Sequence, residues 1–339
     1  MNQRNFRWGG GAFKGHIFKK IISIENLLLA WKEFRRGKGN KKETQEFEFN
    51  LEENLSELHI DLTSQTYKPL PYAAFFVFDP KKRHIHKANI RDRVLHQAVF
   101  RVLYPIFDKY FIYDSYASRF EKGVHAAVYR LESFLNKVSS NNNFSVFALK
   151  CDIRKFFDSI DHKTLLGIIK KRVNDDGAIW LLEKIVKSFE KQSGKGLPLG
   201  NVTSQLFGNI YLNELDQLIK RDFKQKYYIR YCDDFVFLSR DRGDLLKLIP
   251  AIQSFLIKKL GLQLHERKVE VCKYSRGIDF LGYVLRPYAK SVRVKTKKRL
   301  LRKINQSNLD SYMGILKHCD GHKVKASIFD RMFDEDFWG

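Results

Sequence analysis

No apolar run in this sequence reaches the roughly 18 residues that a bilayer-spanning helix needs. The opening stretch, MNQRNFRWGGGAFKG, lacks the apolar centre of a secretory signal. The expectation is therefore a cytoplasmic chain with no membrane segment. Cysteine is scarce, at four residues: Cys151, Cys232, Cys272 and Cys319. None pairs as CxxC and no nearby histidines complete a zinc set, which excludes a zinc finger and a disulfide framework. The thiols are expected to be reduced and mostly buried. No internal repeat is present, which excludes a solenoid. Acidic residues are in deficit, 38 Asp and Glu against 62 Lys and Arg, for a formal charge of +24.

A chain this basic meets a polyanion, either nucleic acid or an anionic membrane. No single basic amphipathic helix stands out, which favours nucleic acid. At 339 residues, 44% hydrophobic and 29% charged, the chain is globular and long enough for two or three subdomains. Aromatics at 14% fit surfaces that stack bases, and equally an aromatic-rich core.

GKGNKK (37–42) and SSNNN (139–143) read as loops. EFEFNLEENLSELHIDLTSQTY is helical in pattern, with Phe49, Leu51, Leu55, Leu58 and Leu62 as its stripe. RDRVLHQAVFRVLYPIFDKYF is a second helical run, expected to bend near Pro105. FSVFALKCDI (144–153) alternates as a strand does, with Asp152 at its end on the more polar face. Asp161 is placed to cap the next helix, and a further helix starts near Ser204. After the stretch YIRYCDDFVFL, a helix ends at Gly261. VEVCKYSRGIDFLGYVLRP reads as a hairpin, and the last fifty or so residues as basic and helical. This order predicts an α+β fold, with an antiparallel sheet and helices on one of its faces.

YIRYCDDFVFL (228–238) sets Asp233 and Asp234 between two apolar flanks. A two-residue hairpin loop prefers Asn-Gly or Asp-Gly, so Asp-Asp there breaks local turn chemistry. Such a breach points to function, or else to a longer ordinary turn. The other such pair, Asp175-Asp176, reads as a solvated helix end. Asp152 adds a third carboxylate. If its strand lies beside the hairpin, the three converge at one sheet edge, which is unfavourable without cations. Mg²⁺ takes oxygen ligands, and two such ions about 4 Å apart suit an in-line phosphoryl displacement. Polymerase or nuclease chemistry follows.

These residues resemble a known family. YCDD (231–234) resembles the YxDD box of reverse transcriptases, and LKCDIRKFFDSIDH (149–162) their first catalytic motif, D-x-x-x-x-F. LPLGNVTSQLFGNIYLNELD (197–216) is similar to the G-x-x-x-S motif between them, and IDFLGYVL (278–285) resembles the hydrophobic primer grip. RHIHKANIRDRVLHQAVF and YASRFEKGVHAAVYRL resemble finger motifs of the group II intron branch. The motifs cover about residues 65 to 290 in the family's order. Most reverse transcriptases read Gln-Gly-x-x-x-Ser-Pro in the middle motif. Here Leu199-Gly200 and Ser204-Gln205 follow the pattern of diversity-generating retroelement enzymes, and SYMGILKHCDGHKVK resembles that group's C-terminal stretch. The chain is expected to carry no nuclease, maturase or zinc domain.

The resemblance implies a right-hand polymerase. Residues 1–143 would form the N-terminal region and fingers, 144–168 and 197–288 the palm, 169–196 an insertion, and 289–339 a short helical thumb. It implies that Asp152 and Asp233 bind two Mg²⁺ ions, with Mn²⁺ as substitute, Asp234 close by and the Ile153 carbonyl completing one site. Phe157 would lie under the nucleotide sugar and exclude a 2′-OH, or else pack as core beside Phe156. Arg83, helped by Lys81, would contact the triphosphate, or the KKR run is a solvated loop. Gly200 would let the backbone approach the dNTP, or is a plain loop glycine. Leu199 would replace a polar amide and loosen checking of the base pair, chiefly opposite template adenine, and Gln205 would lie with it among the dNTP-binding residues. Lys268 would act near the leaving pyrophosphate as a general acid, or form a surface salt bridge.

Arg91, Arg93 and Arg119 would brace the fingers or touch template phosphate, and Gly282 and Tyr283 would meet the primer. VRVKTKKRLLRKI would grip the duplex, or is a charged helix face. The implied partners are template RNA, the cDNA/RNA duplex, dNTPs and a small basic accessory protein forming a pentameric barrel. The implied function is error-prone cDNA synthesis for adenine-specific mutagenic retrohoming, in a bacterial, archaeal or phage-encoded element. The alternatives are a group II intron-like or phage-defence reverse transcriptase and, from another class, a catalytically silent RNA-binding scaffold.

Overall fold

The computed structural model describes residues 16–78 and 82–332. Strands β1 (Ala73–Val77) and β2 (Arg83–Lys87) form a hairpin. β3 (Phe147–Asp152), β4 (Tyr228–Tyr231), β5 (Asp234–Ser239) and β6 (Glu270–Lys273) form an antiparallel sheet in the order β4-β5-β3-β6. β7 (Ile278–Phe280), β8 (Tyr283–Arg286) and β9 (Ala289–Val292) form a third antiparallel group. The remainder is mostly helical, so the fold is α+β.

The chain divides into two compact units. One runs up to Phe111 and adds Lys155–Glu214; the other joins Ile112–Arg154 to the chain from Leu215 onward. Residues 112–143 group with β3, and residues 155–168 and 197–214 group with the N-terminal helices.

In the first unit, the expected helix around residue 50 is two, Lys42–Phe49 and Leu51–Thr63, because Asn50 leaves helical dihedrals at ψ 44. Leu55, Leu58 and Leu62 are buried, but the break turns Phe49 out to solvent at 89% exposure. The helix Ile90–Asp108 continues through Pro105 and buries Val94, Leu95, Ala98, Val99 and Leu103. Asp161 caps its helix as expected, accepting the Thr164 N–H at 2.8 Å. Asp175 is no merely solvated end. It accepts from the Ala178 N–H at 2.9 Å and the Phe18 N–H at 3.0 Å, joining two helix starts.

In the second unit, both faces of the four-stranded sheet are covered, rather than one. Ala148, Ile229, Val236 and Leu238 pack into one core with the helix Val124–Ser139. Leu149, Phe235 and Phe237 alternate to the opposite face. There Tyr228 reaches Asp216, in the helix Val202–Gln217. Both alternating sets are apolar, so neither face can be left to water.

The stretch read as one hairpin is split between two sheets. Its VEVC part joins β3 as β6, and IDF with YVLR starts a separate sheet. Gly277 lies at the break, with φ +95 and Val284 2.8 Å from where a Cβ would stand, so a side chain does not fit. Helix Val294–Lys303 is basic and amphipathic, unlike the expectation that no such helix stood out. Its Leu300 is fully buried in the unit's own core.

Candidate active site

The second unit builds the carboxylate cluster out of strand register. Asp152 ends β3 and Asp234 opens β5, and the two are direct partners across that antiparallel pair. Asp234 also pairs with Tyr231 of β4, so the hairpin loop consists of Cys232 and Asp233. The sequence reading put Asp233 and Asp234 together in the loop; the register moves Asp234 into the strand. A tight hairpin needs positive φ at its first loop position, and Cys232 supplies it at φ +57. A residue with a Cβ in that region costs roughly 1 kcal/mol, so other contacts must hold the turn.

Asp152 is buried, 8% exposed. Lys268 Nζ donates to its Oδ2 at 2.6 Å. Asp234 stands at the solvent edge, yet enough protein crowds its carboxyl group that desolvation, the charge of Asp233 and a hydrogen bond with Asp152 push it up to about 7. Asp233 is also raised, first by burial and then by the charge of Asp152. The crowding of the three carboxylates is offset in part by the Lys268 ammonium, which lies against Asp152.

Among the described residues, no three His, Cys, Asp or Glu groups converge tightly enough to hold a metal ion as they stand. The chemistry of the donor set nevertheless suits a hard divalent cation. It offers carboxylate oxygens already short of positive charge, with a lysine ammonium against one of them. Ile153 bridges Leu264, but the bonds run from the Arg154 N–H to the Gln263 carbonyl and from the His265 N–H to the Asp152 carbonyl. The Ile153 carbonyl takes no part in that pairing.

Sequence reasoning missed what lies behind the turn. Arg230, one residue before the YCDD box, is fully buried beside Asp216. Its Nε and Nη2 donate to Asp216 at 2.9 and 2.6 Å, and its Nη1 donates to the Cys232 carbonyl at 3.1 Å. The signal was legible: an arginine inside an apolar strand demands a buried acid.

The first unit holds the residues expected to meet the nucleotide. Phe156 is buried and Phe157 half-buried, their rings 5.0 Å apart. The Leu197 N–H donates to the Phe157 carbonyl at 2.8 Å, and the His86 N–H to the Leu199 carbonyl at 3.2 Å. The 197–200 loop is thereby tied to both the Phe157 turn and β2. Gly200 has φ +112, a backbone conformation that favours glycine, and a Cβ there would meet Ile85 Cγ2 at 3.1 Å. Arg83 is exposed at the start of β2. Gln205 is half-buried in the first turns of its helix. Lys81 lies outside the described residues.

Three arginines brace structure. Arg91 pairs with Asp61 and lies over Tyr67. Arg93 lies 3.6 Å from Glu43 and over Phe34. Arg119, in the second unit, donates to the Ile112 and Ser115 carbonyls at 2.7 and 2.9 Å. The Tyr283 ring is buried, with its hydroxyl donating to the Ile315 carbonyl at 3.1 Å.

Comparison with known proteins identifies the family. The family model "Reverse transcriptase (RNA-dependent DNA polymerase)" matches residues 79–285. Protein YkfC of Escherichia coli K12 is 25% identical over 67% of this chain and 70% of its own length. The group II intron-encoded protein LtrA of Lactococcus lactis subsp. cremoris is 22% identical over 83% of this chain, which spans only 56% of that protein. A solved structure of apo telomerase from Candida tropicalis, truncated from its C-terminal domain, aligns loosely (TM-score 0.49, 13% identity, 68% of this chain and 58% of that one). The chain belongs to the reverse transcriptase (RNA-dependent DNA polymerase) family, among relatives of the group II intron-encoded type.

Proposed function

We propose that this chain is an RNA-directed DNA polymerase that makes error-prone cDNA from a template RNA, in the manner of a diversity-generating retroelement. The observation that carries the polymerase reading is the facing of Asp152 and Asp234 across β3 and β5, one residue from the strained turn that bears Asp233. Asp152 and Asp233, with Asp234 beside them and the Ile153 carbonyl, would hold two Mg²⁺ ions. When bound, such ions increase the acidity of a primer 3′-OH and neutralise the charge of the departing pyrophosphate.

The chain's own residues do the rest. Lys268, whose contact with Asp152 supports this role, would give a proton near the leaving group. Phe157 limits room at the sugar 2′ position. Arg83 and Lys81 meet the triphosphate. The excess of 24 positive charges serves the template and the duplex, through contacts that weaken with salt. A small basic accessory protein would supply the remaining grip on the duplex. Among the described residues, no helix is long and apolar enough to cross a membrane.

The retroelement reading rests on Leu199, Gly200 and Gln205, and at Leu199 an apolar side chain replaces a hydrogen-bonding amide. A second reading, a group II intron-like enzyme, is favoured by the match to LtrA. Primer extension on an RNA template with Mg²⁺, with sequenced products, tests both. Extension by the wild type and none by Asp233→Ala supports the polymerase, while extension that survives Asp233→Ala rejects this site. Errors concentrated opposite template adenine support the retroelement reading, and an even error spectrum favours the intron-like one.

A further inference from the structure

We propose that the buried Arg230–Asp216 bridge is a positioning device for the catalytic turn, and that it works by holding the Cys232 carbonyl. This inference rests on the reading of Asp233 as a catalytic carboxylate. Both side chains are fully buried, and a fold alone does not require them. Apolar residues of similar volume often replace a buried ion pair at no loss of stability. The bridge does something that an apolar pair cannot. Two guanidinium nitrogens fork onto the Asp216 carboxylate, which fixes the plane of the group. The third nitrogen is then aimed at the carbonyl of Cys232, 3.1 Å away.

Cys232 is the residue in the left-handed conformation, the place where a tight turn prefers glycine. A hydrogen bond from a charged donor to its carbonyl offsets the cost of that backbone conformation. It also fixes the peptide plane from which Asp233 projects. Tyr228 donates to the same Asp216 at 2.7 Å. On its outer edge the Arg230 backbone is tied to the Asp114 carbonyl at 2.9 Å and the Tyr116 N–H at 3.0 Å. The donor is therefore held on every side, while its target is a strained two-residue loop.

The experiment replaces the ion pair and its tyrosine at once, as Tyr228→Phe, Arg230→Met and Asp216→Leu together, so that no member of the Tyr228–Asp216–Arg230 set is left as a buried unpaired group and the Cys232 carbonyl alone loses its charged donor. The protein should melt no lower than the wild type. Amide hydrogen exchange in the metal-free protein should accelerate across residues 231–234 and stay unchanged along β3. The rate of nucleotide addition should fall about 10- to 100-fold, the cost of a catalytic group misplaced by an ångström or less. The dNTP KM should not change, and the Mg²⁺ concentration for half-maximal rate should rise.

A folded triple variant with unchanged exchange and unchanged rate overturns the proposal. If the triple variant does not fold, Arg230→Lys carries the same measurements, since one ammonium cannot fork onto Asp216 and also reach the Cys232 carbonyl. Arg230→Lys with wild-type exchange at 231–234 overturns the proposal in turn. A wild type that extends no primer refutes the polymerase reading instead, and the exchange measurement still decides the role of the bridge.

Discussion

Lys268 and Asp152 lie 116 residues apart in sequence and 2.6 Å apart in space. The lysine is 42% exposed at its side chain. Exposed ion pairs contribute at most about 1 kcal/mol, so the contact is weakly stabilising and its placement is the informative part. Lys268→Met should leave the melting temperature nearly unchanged. If the lysine donates a proton to the departing pyrophosphate, the rate of nucleotide addition should drop about 100-fold or more. Lys268→Arg should not restore it, because a guanidinium does not release its proton near neutral pH. Single-nucleotide extension with parallel melting curves measures both. An undiminished rate in Lys268→Met reduces the pair to a surface salt bridge.

Leu199 touches β2 through its carbonyl, which accepts the His86 N–H. A substitution at its side chain spares that bond, so Leu199→Gln should keep the loop in place while adding an amide able to check the base pair. Errors opposite template adenine should fall, and errors at other bases should change little. Sequenced extension products on an adenine-rich RNA decide the matter. An identical error spectrum in the variant would show that Leu199 is not the source of infidelity.

The half-buried ring of Phe157 differs from the buried ring of Phe156 beside it. A purely structural ring would not choose between sugars. Phe157→Val should admit ribonucleotides, lowering discrimination between dTTP and UTP by 10- to 200-fold, the range set by about 1–3 kcal/mol of lost steric contact. The ratio of kcat/KM for the two substrates reads this directly. A ratio unchanged by the substitution assigns Phe157 to packing alone.

The legible parts of the site were those written in local pattern. Asp152 at a strand end, Asp161 as a helix cap and Gly261 as a helix stop follow from periodicity and capping chemistry, and the structure places each so. What escaped depends on contacts distant in sequence. Register, which a one-residue slip inverts, decides whether Asp234 is in the loop or in the strand. Burial on both faces of the sheet could not be read from β3 alone, because Ala148, Lys150 and Asp152 make one of its faces look polar, and the apolar residues that bury that face, Ile229, Val236 and Leu238, come from β4 and β5. The Arg230–Asp216 bridge links a strand to a helix end 14 residues earlier. Only the anomaly of a lone arginine among aromatics announced it. Phe49 was misread because Asn50 interrupts the helix, and the apolar stripe predicted across the break has no physical continuity.

Acid should weaken the first unit through a group far from chemistry. His96 is 2% exposed in the helix Ile90–Asp108, and its Nδ1 has no hydrogen-bond partner. Burial, and next the charge of Arg93, lower its pKa to about 4. In the unfolded chain the imidazole takes a proton below about pH 6.5. Between those values the unfolded state binds a proton that the folded state refuses. The stability this group contributes is therefore full above the unfolded pKa and is lost as pH falls toward the folded one. The loss amounts to about 3 kcal/mol over that window. His96→Leu, which keeps an apolar volume and cannot titrate, should flatten the dependence. Melting temperatures at about pH 7 and about pH 5 compare the two proteins, other carboxylates contributing equally to both. A wild type whose melting point falls no further than that of His96→Leu would mean that the imidazole is protonated in the fold, with a partner that its burial has hidden.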